Sequence, residues 1–540
     1  MIDPFYAYFG VFKEPTKSCK LFILLIISAL LRRGSWAVSY THLRVTTSNG
    51  SADSGRSSGA QVSIITKSGT NALHGALYEY YRPTNTVANA WFNKNSELSQ
   101  GEPNIPQKYV MNTFGGSFGG PIKKDKLFFF FNYEGQRKAI DDVVTRTLPT
   151  AQFYQGQLGY LDNSGNPQWL NSTQVSALDA GCAPANAGSG TGLYNAPCGP
   201  NPNVTAYYQP EASKGFYGTS GIIGDTLNSA GYTFASPAPS TLNTSIAKID
   251  YNINNNQHIF FRGNLQKDTS AGDENLPGQP AATMLVNNTK GMAFGHTWTP
   301  NSKIVNDVRY AFVRQGYSNR GVGSTGPDPT GDGDWVNFRD YSQPTAWQNR
   351  STMVNVPVQD ITDNLSWIKG EHTISAGADW LNVENNRSSD ANSYSSTGTD
   401  AAYLSGSLPD PATLGDPSVG GGFSNSYSIA YSMILGAIPR TIEQYNYAVT
   451  GPNSGTLLPD GTFINRHFKA YEYEYFLQDS WRVTPKLTVI YGIRHSILQA
   501  PYETKGQQIA PNIDTHAWFT KRAEDAAQGI PCLLYTSRCV

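Results

Sequence analysis

The chain of 540 residues has no charge of one sign to spare: 40 Lys and Arg stand against 41 Asp and Glu, a net charge of −1. A nucleic-acid binder needs a basic excess, and this chain has none. Charge of either sign is scarce, at 15% of residues, which does not suit a charge-driven disordered chain. Long hydrophobic runs are also missing. The longest, Leu21–Leu31, has eleven residues, and a membrane-spanning helix needs about 20. There is no G-x-x-x-x-G-K-[ST] cradle for a nucleotide phosphate, and the eight His include no H-E-x-x-H pair. No cofactor, catalytic residue or metal site is nominated, and no enzyme activity is expected. What the chain does have is turn-formers and rings. Gly (52) and Pro (32) make up about 16% of residues, and aromatics 12%. That excludes a helical bundle and points to strands joined by polar loops.

The middle of the chain repeats one unit. Two strand-like segments flank a short turn, and a long polar stretch follows. Val110–Gly120 and Leu127–Arg137 form the first such pair. Ser245–Ile253 with Gln257–Lys267, Gly291–Trp298 with Lys303–Gln315, Val358–Ile368 with Glu371–Val383, and Lys469–Val483 with Lys486–Ser496 follow. The turns carry Asn, Gly and Pro, as tight hairpins require. Between them lie 138–242, 268–290, 316–355 and 384–468, rich in Gly, Ser, Asn, Pro and Asp. Connections in a compact soluble domain have a median of about 4–6 residues. Short turns at one end and long loops at the other are the habit of a transmembrane barrel.

The strands alternate as a barrel wall should. Ile249, Tyr251 and Ile253 oppose Lys248, Asp250 and Asn252; Phe129, Phe131 and Tyr133 oppose Asn132 and Glu134; Tyr473, Tyr475 and Leu477 oppose Glu472, Glu474 and Gln478. With no helix able to span, a membrane protein of this sequence must span with strands. The expected fold is therefore all-β, a transmembrane antiparallel barrel wall with one face on the lipid bilayer and one on a wet lumen. The rival is an antiparallel soluble sheet with one wet face.

Four segments then resemble one family. Gly59–Arg82 (GAQVSIITKSGTNALHGALYEYYR) is similar to the junction of plug and barrel in TonB-dependent outer-membrane receptors. Phe114–Arg137 (FGGSFGGPIKKDKLFFFFNYEGQR) resembles the signature of the Oar-like branch, whose members usually carry a carboxypeptidase-regulatory-like domain before the plug. Asp363–Asp379 and Tyr475–His495 resemble later hairpins of that branch. The signature positions in this chain are Gly59, Thr66, Lys67, Gly69, Thr70, His74, Gly75, Gly115, Gly116, Gly119, Gly120, Pro121, Lys126, Gln478, Asp479, Trp481, Gly492 and Arg494.

The resemblance implies a receptor in the bacterial cell outer membrane. It would take up a nutrient, an extracellular ligand the sequence does not name, with energy from the TonB–ExbB–ExbD complex. An adhesin or structural surface barrel without import is the alternative, and a secreted β-rich hydrolase a third reading. The resemblance also implies an internal fragment, inactive alone. The TonB box and most of the plug are not recognisable, and the wall amounts to about half of the roughly twenty-two strands of such transporters. The expected organisation has the end of a plug domain at 45–68 and the first half of the barrel at 69–530. Residues 1–44 are read as a non-native or leader segment and 531–540 as a non-native tail, because AVSYTHLR (37–44) and CLLYTSRCV (532–540) resemble translated adapter sequence.

Smaller motifs are weighed alongside. Gly115–Gly119 and Gly55–Gly59 both fit G-x-S-x-G, but neither precedes a helical pattern, as a nucleophile elbow would. Asp328, Thr330, Asp332 and Gly333 begin like a calcium loop, yet Arg339 stands where the bidentate Glu belongs. His296, His372 and His495 are read as lumen or interface residues. Tyr207, Tyr208 and Trp335 are read either as stacking platforms for a ligand or as rings that pack loops together. Cys182 and Cys198 share the longest loop and form a candidate disulfide, which in the chain-entropy model would contribute roughly 3 kcal/mol.

Overall fold

The computed structural model describes residues 40–46, 51–55, 61–99, 101, 103–179, 198–221, 223–281, 283–321, 335–343, 351–403, 408–452, 454–509 and 514–528. A short inner hairpin comes first, β1 (Tyr40–Thr46) paired antiparallel with β2 (Gln61–Thr66). β1 crosses the boundary expected at residue 44. The wall then begins with β3 (His74–Arg82), β4 (Tyr109–Lys123) and β5 (Leu127–Pro149). Two short strands of the first long connection follow, β6 (Leu158–Leu161) and β7 (Pro167–Leu170), and then β8 (Ser229–Pro237). β9 (Ser240–Asn254), β10 (Gln257–Ala271), β11 (Thr283–Asn301) and β12 (Ile304–Gly321) return to the wall. After β13 (Trp335–Asn337) come β14 (Thr352–Lys369) and β15 (His372–Ser389). The loop strands β16 (Ser396–Gly398), β17 (Arg440–Ile442), β18 (Tyr447–Gly451) and β19 (Ser454–Leu457) precede β20 (Ile464–Thr484), β21 (Leu487–Leu498) and β22 (Tyr502–Glu503).

Among the described residues the wall is one antiparallel sheet in the order β3-β4-β5-β9-β10-β11-β12-β14-β15-β20-β21, with β8 and β22 joined to it. All five hairpins read from the sequence are present and in register. The turns between their strands are tight; Asp125 at the first has φ 62° and Gly370 at the fourth also has φ 62°. The first and last wall strands, β3 and β21, do not pair with each other, so the sheet is open.

The two faces differ as the alternation requires. Phe130 is 5% exposed and its neighbour Phe131 47%; Phe476 is 9% exposed and Leu477 54%. Following directly opposed residues from strand to strand carries one face around the wall without a break: Lys248, Arg262, Ala293, Ala311, Asp360, Leu381 and Glu472. The inner hairpin touches this face, so it is the lumen. The other face carries Ile249, Phe261, Phe294, Ile361, Tyr475 and Leu477, an apolar belt. The expected facing therefore holds.

The wall strands run longer than the sequence suggests, 18 residues in β14 and 21 in β20. A transmembrane strand needs about 9–11 residues, so their upper parts stand above the bilayer. There the strands carry polar residues on both faces, such as Asp268, Ser318 and Asn382, the alternation fades, and the pattern reads as loop. The connection expected at 268–290 is in fact 272–282.

The hydrophobic core of the described residues lies in the long connections and not in the wall. Phe153, Leu158, Tyr160, Val175, Tyr208, Phe338, Tyr431 and Met433 are buried together. They come from 151–208, from 338–341 and from the helix Ser424–Ile434. The connections thus fold into a cap at the outer end of the wall.

Candidate functional site: the lumenal seam and the outer cap

The seam begins with acidic and basic residues on the lumenal face of β20 and β21. Glu474 lies opposite Ser496, and Phe476 opposite Arg494. Arg494 Nε donates to Glu474 Oε2 at 2.8 Å, its second nitrogen pairs with the same carboxylate, and Asp379 on β15 lies 3.5 Å away. Ser496 donates to Glu474 Oε1 at 2.9 Å. Glu474 is 8% exposed; a carboxylate this buried needs a cation and hydrogen-bond donors on both oxygens.

The inner segment 51–55 sits on this cluster. The Ala52 amide donates to Gln478 Oε1 at 2.7 Å, and Arg494 donates to the Ala52 carbonyl at 3.3 Å. Gly492 makes the approach possible, because a Cβ there would lie 2.9 Å from the Ala52 side chain. Three of the signature residues, Gln478, Gly492 and Arg494, are thus brought together against the backbone of the inner segment.

A second contact lies at the start of the wall. Lys248 Nζ, 3.0 Å from Asp250, donates to Ser68 Oγ at 2.6 Å. Gly69 packs where a Cβ would collide with the carbonyl oxygens of Phe129 and Gly120. Gly115 leaves room for the Tyr78 ring, whose hydroxyl donates to Glu134 Oε2 at 2.6 Å. His74 and Gly75 open β3 opposite Gly119 and Phe118, and Pro121 lies opposite Phe128. Thr66 pairs with Tyr40, Thr70 turns back onto the Ala72 carbonyl, and the Lys126 carbonyl accepts from Asn252 at 2.7 Å. Lys67 continues directly from β2.

The signature residues Asp479 and Trp481 point the other way, to the outer surface near the turns. His372 stacks on Trp481 and its Nδ1 lies 2.6 Å from Asp479, which also accepts from Tyr491 at 2.7 Å. His296 and His495 share that outward face. Ser117 lies in the middle of β4, with no strand–turn–helix elbow. Gly59, Ser57, Ser58, Asp328, Thr330, Asp332 and Gly333 lie outside the described residues, as does the Trp335 side chain.

The cap settles the place of two aromatic candidates. Tyr207 and Tyr208 are 4% and 1% exposed, and both rings pack on Phe338. They are packing rings. Four buried phenols donate to backbone carbonyls: Tyr160 to Pro417 (2.8 Å), Tyr208 to Ser342 (3.2 Å), Tyr427 to Pro409 (3.0 Å) and Tyr431 to Leu178 (2.8 Å). Burial pushes the Tyr160 hydroxyl up to about 12 and raises those of Tyr208, Tyr427 and Tyr431 as well. Cys198 is disulfide-bonded; Cys182 lies outside the described residues, and its pairing with Cys198 is proposed. Sequence reasoning missed the cap helix, although Tyr427, Ala430, Tyr431 and Ile434 are spaced i, i+3, i+4, i+7.

An antiparallel wall that is apolar outside and polar inside, with short turns at one end and long connections at the other, defines an outer-membrane β-barrel. The chain belongs to the outer membrane beta barrel domain family, whose model matches residues 65–536. Over 81 residues it is 32% identical to the TonB-dependent transporter Oar of Myxococcus xanthus, a match covering 15% of this chain and 7% of that protein. Among solved structures it is similar to the outer-membrane transporter YddB of Escherichia coli (TM-score 0.42, 9% identity, 85% of this chain and 44% of that one). It is likewise similar to the siderophore receptor PirA of Acinetobacter baumannii (TM-score 0.39, 10% identity, 85% and 43%). The chain spans less than half the length of either, and likeness at this level carries no argument. The family places the protein in the bacterial outer membrane.

Proposed function

We propose that the chain forms the wall of a receptor that imports a nutrient across the outer membrane, driven by a TonB–ExbB–ExbD complex acting on the inner segment as the end of a plug. One observation carries this reading. The backbone of 51–55 is gripped by Gln478 and Arg494 from the lumenal face, as a removable stopper inside a wall requires. A few hydrogen bonds of about 0.5–1.5 kcal/mol each hold firmly at rest and yield to force. Arg494 and Gln478 position the segment; the outer cap would meet the ligand.

Cells carrying the gene should deplete at least one solute from a complex medium faster than cells lacking it, and collapsing the proton gradient should abolish the difference. A surface adhesin predicts no solute depletion at all. Depletion that survives loss of the gradient would overturn energy coupling.

A further inference from the structure

The cap holds a cavity of about 350 Å³ where its connections meet the upper part of β5. Exposed Gly224 and Asp340 stand at its mouth, and buried Ser229, Tyr341 and Ile429 at its floor. Thr147 from β5 and Ser426 from the helix Ser424–Ile434 complete its sides. Ligand sites are concave, run from roughly 300 to 1,000 Å³ and carry a few convergent polar groups. This cavity lies at the small end of that range.

Two carboxylates line it. Asp225 Oδ1 accepts from the amides of Leu227, Asn228 and Ser229 at 3.0, 2.7 and 2.8 Å, which fixes the group in place. Its Oδ2 accepts from Asn228 Nδ2 at 2.9 Å. Asp340 lies 3.9 Å from Arg339, whose guanidinium is already paired with Asp400. Among the described residues no Lys, Arg or His lines the cavity, so it disfavours an anion and suits an ammonium. The hydroxyls are uncommitted. Ser424, Ser428 and Ser432 donate to carbonyls three or four residues earlier, whereas among the described residues the hydroxyls of Ser426 and Thr147 make no hydrogen bond. The Tyr341 hydroxyl is buried beside Ser229 without a hydrogen bond of ordinary geometry. Burial pushes it well above the ordinary phenol range and both carboxylates add to that, so it stays a donor. An acceptor supplied by a ligand would satisfy it.

The backbone at the mouth is strained. Asp340 has φ 62°, and Thr226, next to Asp225, has φ 67°. Left-handed residues other than glycine gather at ligand sites. Gly224 has φ 90°, and a Cβ there would lie 2.5 Å from the Ser229 carbonyl oxygen. We propose that this cavity binds a small amine-bearing polyol of amino-sugar size, with its ammonium on Asp225 and Asp340, its hydroxyls on Thr147 and Ser426, and an oxygen on Tyr341. The inference rests on the import reading for the cap's role in ligand capture, but its test is binding alone.

The purified full chain in a non-ionic detergent is titrated by calorimetry with glucosamine, N-acetylglucosamine and glucose 6-phosphate. Glucosamine should bind. N-acetylglucosamine, which lacks the charge, should bind about tenfold more weakly, and glucose 6-phosphate not at all. Asp340→Asn should weaken glucosamine binding about tenfold. Asp142→Asn, at an exposed position of β5 outside the cavity, leaves it unchanged. Tyr341→Phe separates a ligand contact from a packing role. Without glucosamine it should keep or raise the unfolding temperature of the cap, because the hydroxyl has no partner to lose, and it should weaken binding several-fold. No glucosamine binding at tens of millimolar, equal binding of the three sugars, or unchanged binding by Asp340→Asn overturns the proposal. So does a Tyr341→Phe chain that loses stability and binds as before. Glucosamine binding without import in cells would sink the transport reading and leave the ligand class of the cavity standing.

Discussion

Leu477 and Gln478 are neighbours in sequence and lie on opposite sides of the wall. Leu477 is 54% exposed on the outward belt, and Leu477→Arg there should cost about 2–4 kcal/mol in the bilayer, read from urea unfolding in lipid vesicles. Gln478→Arg leaves the belt intact but removes the acceptor of the Ala52 amide. Its expected signature is protease cleavage near residue 52 with unchanged unfolding of the wall. Equal loss of wall stability from both would show the facing to be wrong. Arg494→Met strips Glu474 of its cation, and a carboxylate 8% exposed then stays buried without a compensating charge, at about 3 kcal/mol. Arg494→Met/Glu474→Gln should recover most of that. The sequence displayed this alternation plainly, since a period of two survives wherever one face is lipid and the other wet. It did not disclose that Gly492, Gln478 and Arg494 converge on residue 52, because that contact spans more than four hundred positions and depends on how the inner segment lies in the lumen.

The wall and the cap obey different rules as elements. Wall strands owe their place to hydrogen-bond ladders, whereas the helix Ser424–Ile434 owes its place to burial. Met433 is 0% exposed, so Met433→Ala should cost about 2–5 kcal/mol, confined to the cap. Limited proteolysis should show faster cutting in the outer connections while the wall keeps its heat-resistant band on gels. The four buried phenols give the cap a pH limit. Each has its pKa raised by burial, so the neutral form is favoured when folded. That contribution is complete below pH 10 and is lost as the pH rises toward 12 and beyond. Phenolate absorbance should therefore rise late and together, with loss of cap structure; independent titration near pH 10 would mean the rings are wet. The hairpins were legible because each is local. The cap was not, because its apolar residues are dispersed over three connections, each reading as polar loop until packed against the others.

For the molecule as a whole, the assignment of ends can be checked in cells. An epitope inserted at Lys124–Asp125, in a short turn, should be hidden from antibody on intact cells. One inserted at Gly278, in the 272–282 connection, should be reached. The reverse pattern would invert the protein in its membrane.

β5 runs without interruption from Leu127, beside a short turn, to Pro149, beneath the cap. Its lower part is laddered to β4 and β9 and its upper part to β8. β8 re-enters the wall through only Ala238 and Pro239. The outer body is thus rooted like a mast stepped through a deck. At this strand it can tilt only by tearing ladder bonds, so any movement of the outer body has to come from the other connections.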